Sequence, residues 1–391
     1  MRKYIARVRD WVQLFSWEQR VILCSLLVLF VPYPYGGIGV GLAGILTLIL
    51  MIVRRKTFAR KGLWLVPIWA ALTLLVTAHY YNGYGFWVFA YFLLILAFGA
   101  LVRTYRSDAL THAALGILAA TSFIACAIAV VQVVFDFSVF SDRAASTMFN
   151  PNFYGFICEL IALACVWAVM QGLRPRWLFW AAIPVNLLGI FLSGCRSAWL
   201  PVGAGVLLLL LLTGRKRAFG AGVGIGAVIG AALWLFPKIV MPRAANFDHS
   251  RYLRQIIWAE AWKIFTAHPI VGGGFLAYQF FSIDAGEAFR VHAHNLPLDM
   301  LVNFGVVGML LLCAYCIPAM VRRAKQYRQD PSVPLFFAVL LATVIHGVTD
   351  VPLLGIQSGP VLMLLVAVGS AAKAPVAVGK RQVENSSLHH I

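Results

Sequence analysis

The sequence predicts an all-α polytopic integral membrane protein with about 12 transmembrane helices. Of the 391 residues, 61% are hydrophobic and only 12% are charged, whereas about a quarter of a soluble domain is charged. The apolar residues form continuous runs, such as the one from Val202 to Leu212, and a transmembrane β-barrel would instead alternate in short segments. Continuous runs repeated along the chain are typical of helices that cross a bilayer.

Short polar turns divide the chain into twelve apolar stretches, and each stretch is predicted to be one span. These spans cover 21–31, 38–53, 63–78, 86–102, 113–135, 150–174, 177–192, a stretch that ends at 215, 219–236, 296–320, 334–349 and a stretch that ends near 373. The predicted organisation is nine helices in 1–236, a long loop with candidate site residues at 237–296, three helices in 297–373 and a tail at 374–391.

The basic residues set the orientation of these spans. The net charge is +18, and about 24 of the 32 Lys and Arg residues lie at the termini or in every second loop. Because Lys and Arg favour cytoplasmic loops, both termini and the tail are predicted to be cytoplasmic. The 237–296 loop would then face the periplasm from a bacterial inner membrane. The same placement, in short blocks between apolar runs, excludes nucleic acid as a partner. The basic segment 1–20 is predicted to lie on the cytoplasmic surface, before an uncleaved first span.

Eight cations face outward against this rule, and Arg196 is the most unusual of them. It lies between two apolar spans with almost no loop to solvate it, so its guanidinium needs an anion. The planar fork of the guanidinium suits a diphosphate. For four others, contact with solvent or lipid headgroups is the simpler interpretation. These four are Lys238, Arg243, Lys263 and Arg290.

Arg251 and Arg254 lie near the start of a predicted amphipathic surface helix at 250–266. Asp248 or Ser250 would cap this helix. The positive end of the helix dipole attracts anions, so the two arginines and the helix start could gather phosphate charge. Lipid headgroups are the alternative partner of this pair.

His292 and His294 lie where the long loop re-enters an apolar segment. A neutral imidazole can accept a proton from a hydroxyl near neutral pH, so a histidine beside an anion site suggests group transfer with general-base catalysis. A histidine that caps the next helix and a metal ligand are the alternatives. No acidic or histidine residue with clear ligand spacing accompanies the pair, so no metal is predicted.

Other polar features have less specific meanings. Glu159 lies about one turn into the sixth span, and His346 and Asp350 are four residues apart on the eleventh, where they could face each other. A structural ion pair and a substrate contact both remain open for them. The turn at 269–274 lacks the lysine and the strand of a Walker motif, so it is predicted to be a packing turn. The seven cysteines show no disulfide or metal spacing.

Several motifs, taken in order, resemble those of the O-antigen ligase and polymerase superfamily. The ligase signature is His, then Asn, Ser or Gln, nine residues, and Gly-x-x-Gly, which His294-Asn295 and Gly305–Gly308 match in full. Phe149–Asn152 resembles the family's Asn-Pro-Asn element at the start of a span. Ser193–Arg196 is similar to its Ser-Arg element with two residues between, and His268–Gly274 resembles its Asn-Pro-Ile-x-Gly-x-Gly turn with His for Asn. Their common order is more specific than any one motif.

The resemblance implies a GT-C-like glycosyltransferase of lipopolysaccharide biosynthesis. The donor would be undecaprenyl-diphosphate-linked O-antigen, and the acceptor a sugar hydroxyl of lipid A–core oligosaccharide, with inversion and without a metal or other cofactor. His294 would be the general base, and Arg196, Arg251 and Arg254 would bind the diphosphate. The substrate-orienting residues would be His292, Asn295, Asn150 and Asn152.

Three rival functions remain open. A polymerase of the same superfamily would use a second lipid-linked repeat as the acceptor. A protein O-oligosaccharyltransferase shares the histidine loop but tends to carry a larger outward C-terminal domain. A transporter or flippase would place charges along a central pathway through several spans, whereas here the unusual charges concentrate on one face.

Overall fold

The computed structural model describes residues 13–60, 62–138, 140, 142–236 and 247–369. Within these ranges the chain is helical and no strand occurs. The longer helices are α1 (Trp17–Val28), α2 (Ile38–Val53), α3 (Leu65–His79), α4 (Gly83–Thr104), α5 (Asp108–Val134), α6 (Pro151–Met170), α7 (Arg176–Ser193), α8 (Trp199–Leu212), α9 (Lys216–Leu235), α10 (Phe247–Ala267), α11 (Leu296–Lys325), α12 (Val333–Gly347) and α13 (Ser358–Val368). The short elements are helices Arg55–Phe58 and Ala277–Phe281 and 3₁₀ turns Tyr35–Gly37, Arg196–Ala198, Gly286–Ala288 and Pro352–Leu354.

Parts of the predicted organisation lie outside the described residues. They are the first 12 residues of the predicted surface segment, the start of the predicted loop with Lys238 and Arg243, and the predicted tail.

Six helices are long and apolar enough to cross a membrane, judged by length and composition within the described residues. They are α2 with the 3₁₀ turn before it, α4, α5, α6, α7 and α11. Four apolar helices are shorter, at 10–17 residues, namely α3, α8 with its preceding turn, α12 and α13. The all-α fold is therefore confirmed, and the apolar helices support a polytopic membrane protein. The number of twelve spans and the GT-C-like arrangement stay predictions.

α6 is the central helix of the bundle, because 78% of an apolar 18-residue stretch of this helix is buried inside the protein. Its start is well defined, because the Asn150 side chain accepts a hydrogen bond from the backbone N–H of Asn152 at 2.8 Å. Pro151 follows at the first helical position, where a missing N–H costs nothing. α7 packs along α6, and the largest hydrophobic cluster surrounds both helices. The residues at the start of α6 are therefore held on a rigid element.

α10 confirms the predicted amphipathic helix at 250–266, although it begins earlier, at Phe247. Asp248 and Ser250 consequently both lie inside the first turn and neither precedes the helix, so the predicted cap is wrong. The Asp248 side chain is not among those described. One face of α10 is buried against the loop before α11 and the start of that helix. Its buried residues are Ile257, Ala261 and Ile264, and they pack with Tyr278, Ala293 and Val302.

A break in α11 explains the first glycine of the Gly-x-x-Gly motif. Gly305 has a φ of 59° and a ψ of −171°, a conformation that is essentially restricted to glycine. The backbone N–H groups freed by the break bond to the turn at 269–274; Val306 N, for example, donates to Pro269 O at 2.9 Å. This turn is a packing element, as predicted. It fixes the direction in which the first part of α11 leaves the loop.

We expect Gly305→Ala to lower the thermal unfolding midpoint of the detergent-purified protein. A Cβ at this position would lie 2.4 Å from Gly272 N, and the backbone conformation alone would cost a residue with a side chain about 1–3 kcal/mol. Gly116→Ala in α5 is the control, because a Cβ there meets nothing within 4 Å. Equal midpoints for the two variants would contradict this explanation of the motif.

Ion pairs gather at one end of the bundle, between α11 and α12. Asp330 accepts hydrogen bonds from Arg323 at 2.9 Å and from Arg106 at 3.4 Å. Burial would raise the pKa of the Asp330 carboxyl, but hydrogen bonds with Ser332 and Arg323 lower it to about 2. The basic loops after α6, α8 and α11 lie at this same end, so the positive-inside rule makes it the predicted cytoplasmic end.

Candidate active site

Five chain segments meet at the opposite end of the bundle. They are the start of α6, the 3₁₀ turn between α7 and α8, the start of α10, the loop before α11 and the segment after α12. Hydrogen bonds join each of these segments to at least one of the others. Because the segments are far apart in the sequence, the site forms only when the helices pack.

The centre of this site is a histidine–carboxylate pair formed by His294 and Asp350. His294 Nδ1 lies 3.1 Å from Asp350 Oδ1, and the two side chains are 23% and 3% exposed. A carboxylate accepts hydrogen bonds, so Nδ1 carries a proton and Nε2 is left to accept one from a substrate. The φ of His294 is 48°, a left-handed conformation that is uncommon for non-glycine residues and clusters at functional sites. The pair has the arrangement of a general base that is oriented by a third group.

The Asp350 carboxylate is held by further hydrogen bonds. Its Oδ2 accepts from Asn152 Nδ2 at 2.7 Å, and its Oδ1 accepts from the backbone N–H of Val351 at 2.9 Å. Burial would raise the pKa of this carboxyl, but the hydrogen bond with His294 and the other nearby histidines keep the pKa well below its ordinary value. Asp350 is therefore ionised at neutral pH and fixes the tautomer of His294.

Arg143 supports this network from the loop before α6. Its Nη2 donates to Asn152 Oδ1, and its Nε donates to the backbone oxygen of Ser193 at 2.9 Å. With the amide oxygen so engaged, the NH₂ group of Asn152 faces Asp350. Sequence reasoning assigned no role to Arg143, and the only available signal was a cation in an outward loop.

His292 lies beside the histidine–carboxylate pair but is buried. Its Nε2 is 3.7 Å from Asp350 Oδ1, and its ring centroid is 4.3 Å from that of His294. Burial, followed by the neighbouring His294, lowers the pKa of His292 to about 3, so this imidazole is neutral at physiological pH. Its Nδ1 accepts the backbone N–H of His294 at 3.2 Å, which shapes the loop around the pair.

His292, His294 and Asp350 also form a set that could hold a metal ion, with one ligand atom from each within 4.8 Å of the others. The expectation that no ligand cluster accompanies the histidines is therefore wrong. Asp350 joins them from 56 residues further along the chain, so no local spacing reveals the set. Two imidazoles and a carboxylate suit a divalent cation such as Zn²⁺.

Two of the three predicted anion-binding arginines make hydrogen bonds to other segments of the site. Arg196 Nη2 donates to Ser250 Oγ at 3.3 Å, in the first turn of α10. Arg254 Nε donates at 3.4 Å to the backbone oxygen of Thr349, the residue before the paired carboxylate. Both side chains are partly buried, whereas Arg251 is exposed near the start of α10. The three cations therefore lie at the same end of the bundle as His294.

The predicted substrate-orienting asparagines divide into two kinds. Asn152 belongs to the network around the carboxylate. Asn150 and Asn295 are helix caps: their side chains accept from the backbone N–H groups of Asn152 and Leu298, respectively. Asn295 also donates to the backbone oxygen of Val348 at 3.0 Å. Both caps hold the segments that carry the site residues.

The expected facing of His346 and Asp350 on one helix is wrong. α12 ends at Gly347, so Asp350 lies beyond the helix and turns to His294 instead. His346 pairs with Glu159 on α6, with Nδ1 2.6 Å from Oε2. Both members of this second pair are fully buried.

One comparison with known proteins bears on this site. A family model described as O-antigen ligase matches residues 181–313. Over this segment the chain is similar to the O-antigen ligase family. The matched segment includes Arg196, α10 and the loop with His294, whereas Asn152 and Asp350 lie outside it. No curated protein matches the chain.

The similarity to the O-antigen ligase family over residues 181–313 supports a coarse function. It indicates a glycosyltransferase-like enzyme of O-antigen processing, with an activity of the ligase or polymerase type. It also implies a lipid-linked glycan substrate and a membrane environment, in agreement with the apolar helices.

Proposed function

We propose that this chain is an O-antigen ligase. It transfers O-antigen from undecaprenyl diphosphate to a hydroxyl of lipid A–core oligosaccharide, inverts the anomeric centre and needs no metal. One observation carries the proposal. The His294–Asp350 pair, 3.1 Å apart, lies next to the contact of Arg254 with Thr349. A base and a phosphate-binding cation are thereby adjacent, as transfer from a diphosphate ester requires.

The reaction follows from these positions. Nε2 of His294 removes the proton of the acceptor hydroxyl, while Asp350 holds Nδ1–H and stabilises the imidazolium that forms. The acceptor oxygen forms a bond to the anomeric carbon as the bond from that carbon to the diphosphate oxygen breaks. Arg196, Arg251 and Arg254 offset the negative charge that develops on the departing undecaprenyl diphosphate. Attack opposite the leaving group inverts the anomeric centre, and the proton on His294 is then released to water.

The proposed location is the bacterial inner membrane, with both termini in the cytoplasm and the site at the periplasmic surface. The distribution of charge supports this orientation. The helices that begin or end at the site have their other ends at the basic loops near Arg174, Arg215 and Arg322. The positive-inside rule assigns those loops to the cytoplasm.

Reconstitution with a choice of acceptors tests the proposed function. The purified chain in lipid nanodiscs is given undecaprenyl-diphosphate-linked glycan, together with either lipid A–core or a second lipid-linked repeat. The proposal expects transfer to lipid A–core only. Transfer to the lipid-linked repeat alone would identify a polymerase, and transfer to neither would reject both activities.

We expect a chelator to leave the transfer rate unchanged. The three potential ligands make a metal-assisted reaction the main alternative, but the hydrogen bond between His294 and Asp350 already supplies an oriented base. The measurement compares initial rates with and without EDTA, and a known metal-dependent transferase under the same conditions shows that the chelator works. A rate that falls with EDTA and returns with added Zn²⁺ or Mg²⁺ would support the metal-assisted reaction instead.

A further inference from the structure

A chain of polar side chains leads from the centre of the bundle to Arg196. His346 Nδ1 lies 2.6 Å from Glu159 Oε2, and its Nε2 lies 3.3 Å from Ser197 Oγ. Ser197 is the residue after Arg196, and its hydroxyl oxygen is also 3.2 Å from Cys195 Sγ. Sequence reasoning noted Glu159 and His346 but assigned Ser197 no role, and the reaction described above uses none of the three.

Burying these polar side chains in the centre of the bundle costs folding free energy. Glu159 and His346 are both 0% exposed, and burying an ionisable group among apolar helices is unfavourable unless it is paired. The pairing is incomplete, because Glu159 Oε1 has no hydrogen-bond partner among the described residues. Apolar side chains would fill this space with less penalty. This cost indicates that the polar side chains have a role other than packing.

The hydrogen bonds of His346 set the orientation of the Ser197 hydroxyl. The Glu159 carboxylate accepts from Nδ1–H of His346, and an imidazolium paired with this carboxylate also donates its Nε2–H to Ser197 Oγ, which leaves the Ser197 O–H free to donate. Phe156 packs edge-on against the same ring, with centroids 5.1 Å apart. The Ser197 hydroxyl is thereby held in the single 3₁₀ turn that also carries Arg196, and Ser197 is partly exposed. A hydroxyl beside a guanidinium can donate to a second oxygen of the same anion.

We propose that Ser197 is a further donor-binding residue whose hydroxyl donates to a diphosphate oxygen of the lipid-linked substrate. His346 and Glu159 are positioning residues that hold this hydroxyl toward the site and do not touch the substrate. The inference rests on the proposed function, since it takes the diphosphate to lie at Arg196. It adds a neutral hydrogen-bond donor to the cations already assigned there.

Steady-state kinetics of the purified full-length chain in nanodiscs test the role of Ser197. We expect Ser197→Ala to raise both the KM for the lipid-linked donor and the inhibition constant of undecaprenyl diphosphate about 10-fold, as loss of one hydrogen bond to a charged group predicts. The KM for lipid A–core should not change, and Ser197→Thr should restore donor binding. The matched control is Ser122→Ala, which removes another serine hydroxyl, 3.0 Å from Asn186 in the core, and should leave both KM values unchanged.

A double-mutant cycle tests the positioning residues. Glu159→Gln should raise the donor KM, and adding Ser197→Ala to it should cause no further increase, because both act through one hydroxyl. Losses that multiply, or a donor KM unchanged in Ser197→Ala, would overturn the inference. The variant Arg196→Ala distinguishes a failure of the Ser197 inference from a failure of the proposed diphosphate site. If it weakens donor binding while Ser197→Ala does not, only the inference fails; if neither does, the proposed diphosphate site fails as well.

Discussion

Replacing His294 with alanine is expected to lower kcat for glycan transfer about 10²–10⁴-fold, the usual contribution of a positioned general base. The imidazole is the group that accepts the proton of the acceptor hydroxyl, and its removal leaves water as the only base. Asp350→Asn should cause a loss in the same range, because the amide cannot hold Nδ1–H as a carboxylate does. Initial rates of the purified variants measure both losses.

Two controls sharpen this prediction. His79→Ala removes an exposed histidine at the end of α3, and its rate should equal that of the wild type. His292→Ala should lose less activity than His294→Ala, since the neutral imidazole of His292 shapes the loop without accepting the substrate proton. A wild-type rate in His294→Ala would show that His294 is not the general base. Equal losses of activity in the two histidine variants would favour a metal ion that both residues bind.

Replacing Arg196 with lysine is expected to raise the KM for the lipid-linked donor about 10-fold, although the charge is kept. Lysine offers a compact ammonium in place of the planar fork that binds two phosphate oxygens, and loss of one charge-assisted hydrogen bond corresponds to a change of this size. Arg196→Ala should raise the donor KM further. The KM for lipid A–core should stay constant in both variants.

Lys263→Ala is the matched control for the arginine variants. Lys263 is a cation on α10, but its side chain is 77% exposed and pairs with Glu260 on the same helix. Its removal should leave the donor KM unchanged. If Arg196→Lys keeps a wild-type donor KM, Arg196 does not bind the diphosphate through its fork.

Local patterns were sufficient to predict the helices and several site residues. The 250–266 periodicity predicted α10, and the Asn-Pro-Asn motif predicted the start of α6, because caps and amphipathic faces depend on neighbours in the sequence. Arg196 and His294 were identified because a charge or an imidazole near hydrocarbon needs a partner. In both cases the partner itself was not identified.

Contacts between distant segments could not be predicted in this way. Asp350 was paired with His346 on the assumption that the helix continued, but α12 ends at Gly347 and the carboxylate reaches His294 instead. The possible ligand set was missed for the same reason. Arg143 was assigned no role, because Asn152 and Ser193 become its partners only when α6 and α7 pack together.

An experimental structure of the chain with bound undecaprenyl diphosphate, determined by electron cryomicroscopy in nanodiscs, tests the central claim most directly. The account predicts that the diphosphate lies within hydrogen-bond distance of Arg196 and of Arg251 or Arg254. It also predicts that Nε2 of His294 opens onto the same space. A diphosphate bound elsewhere, such as along a pathway through the centre of the bundle, would contradict the account and favour a transporter.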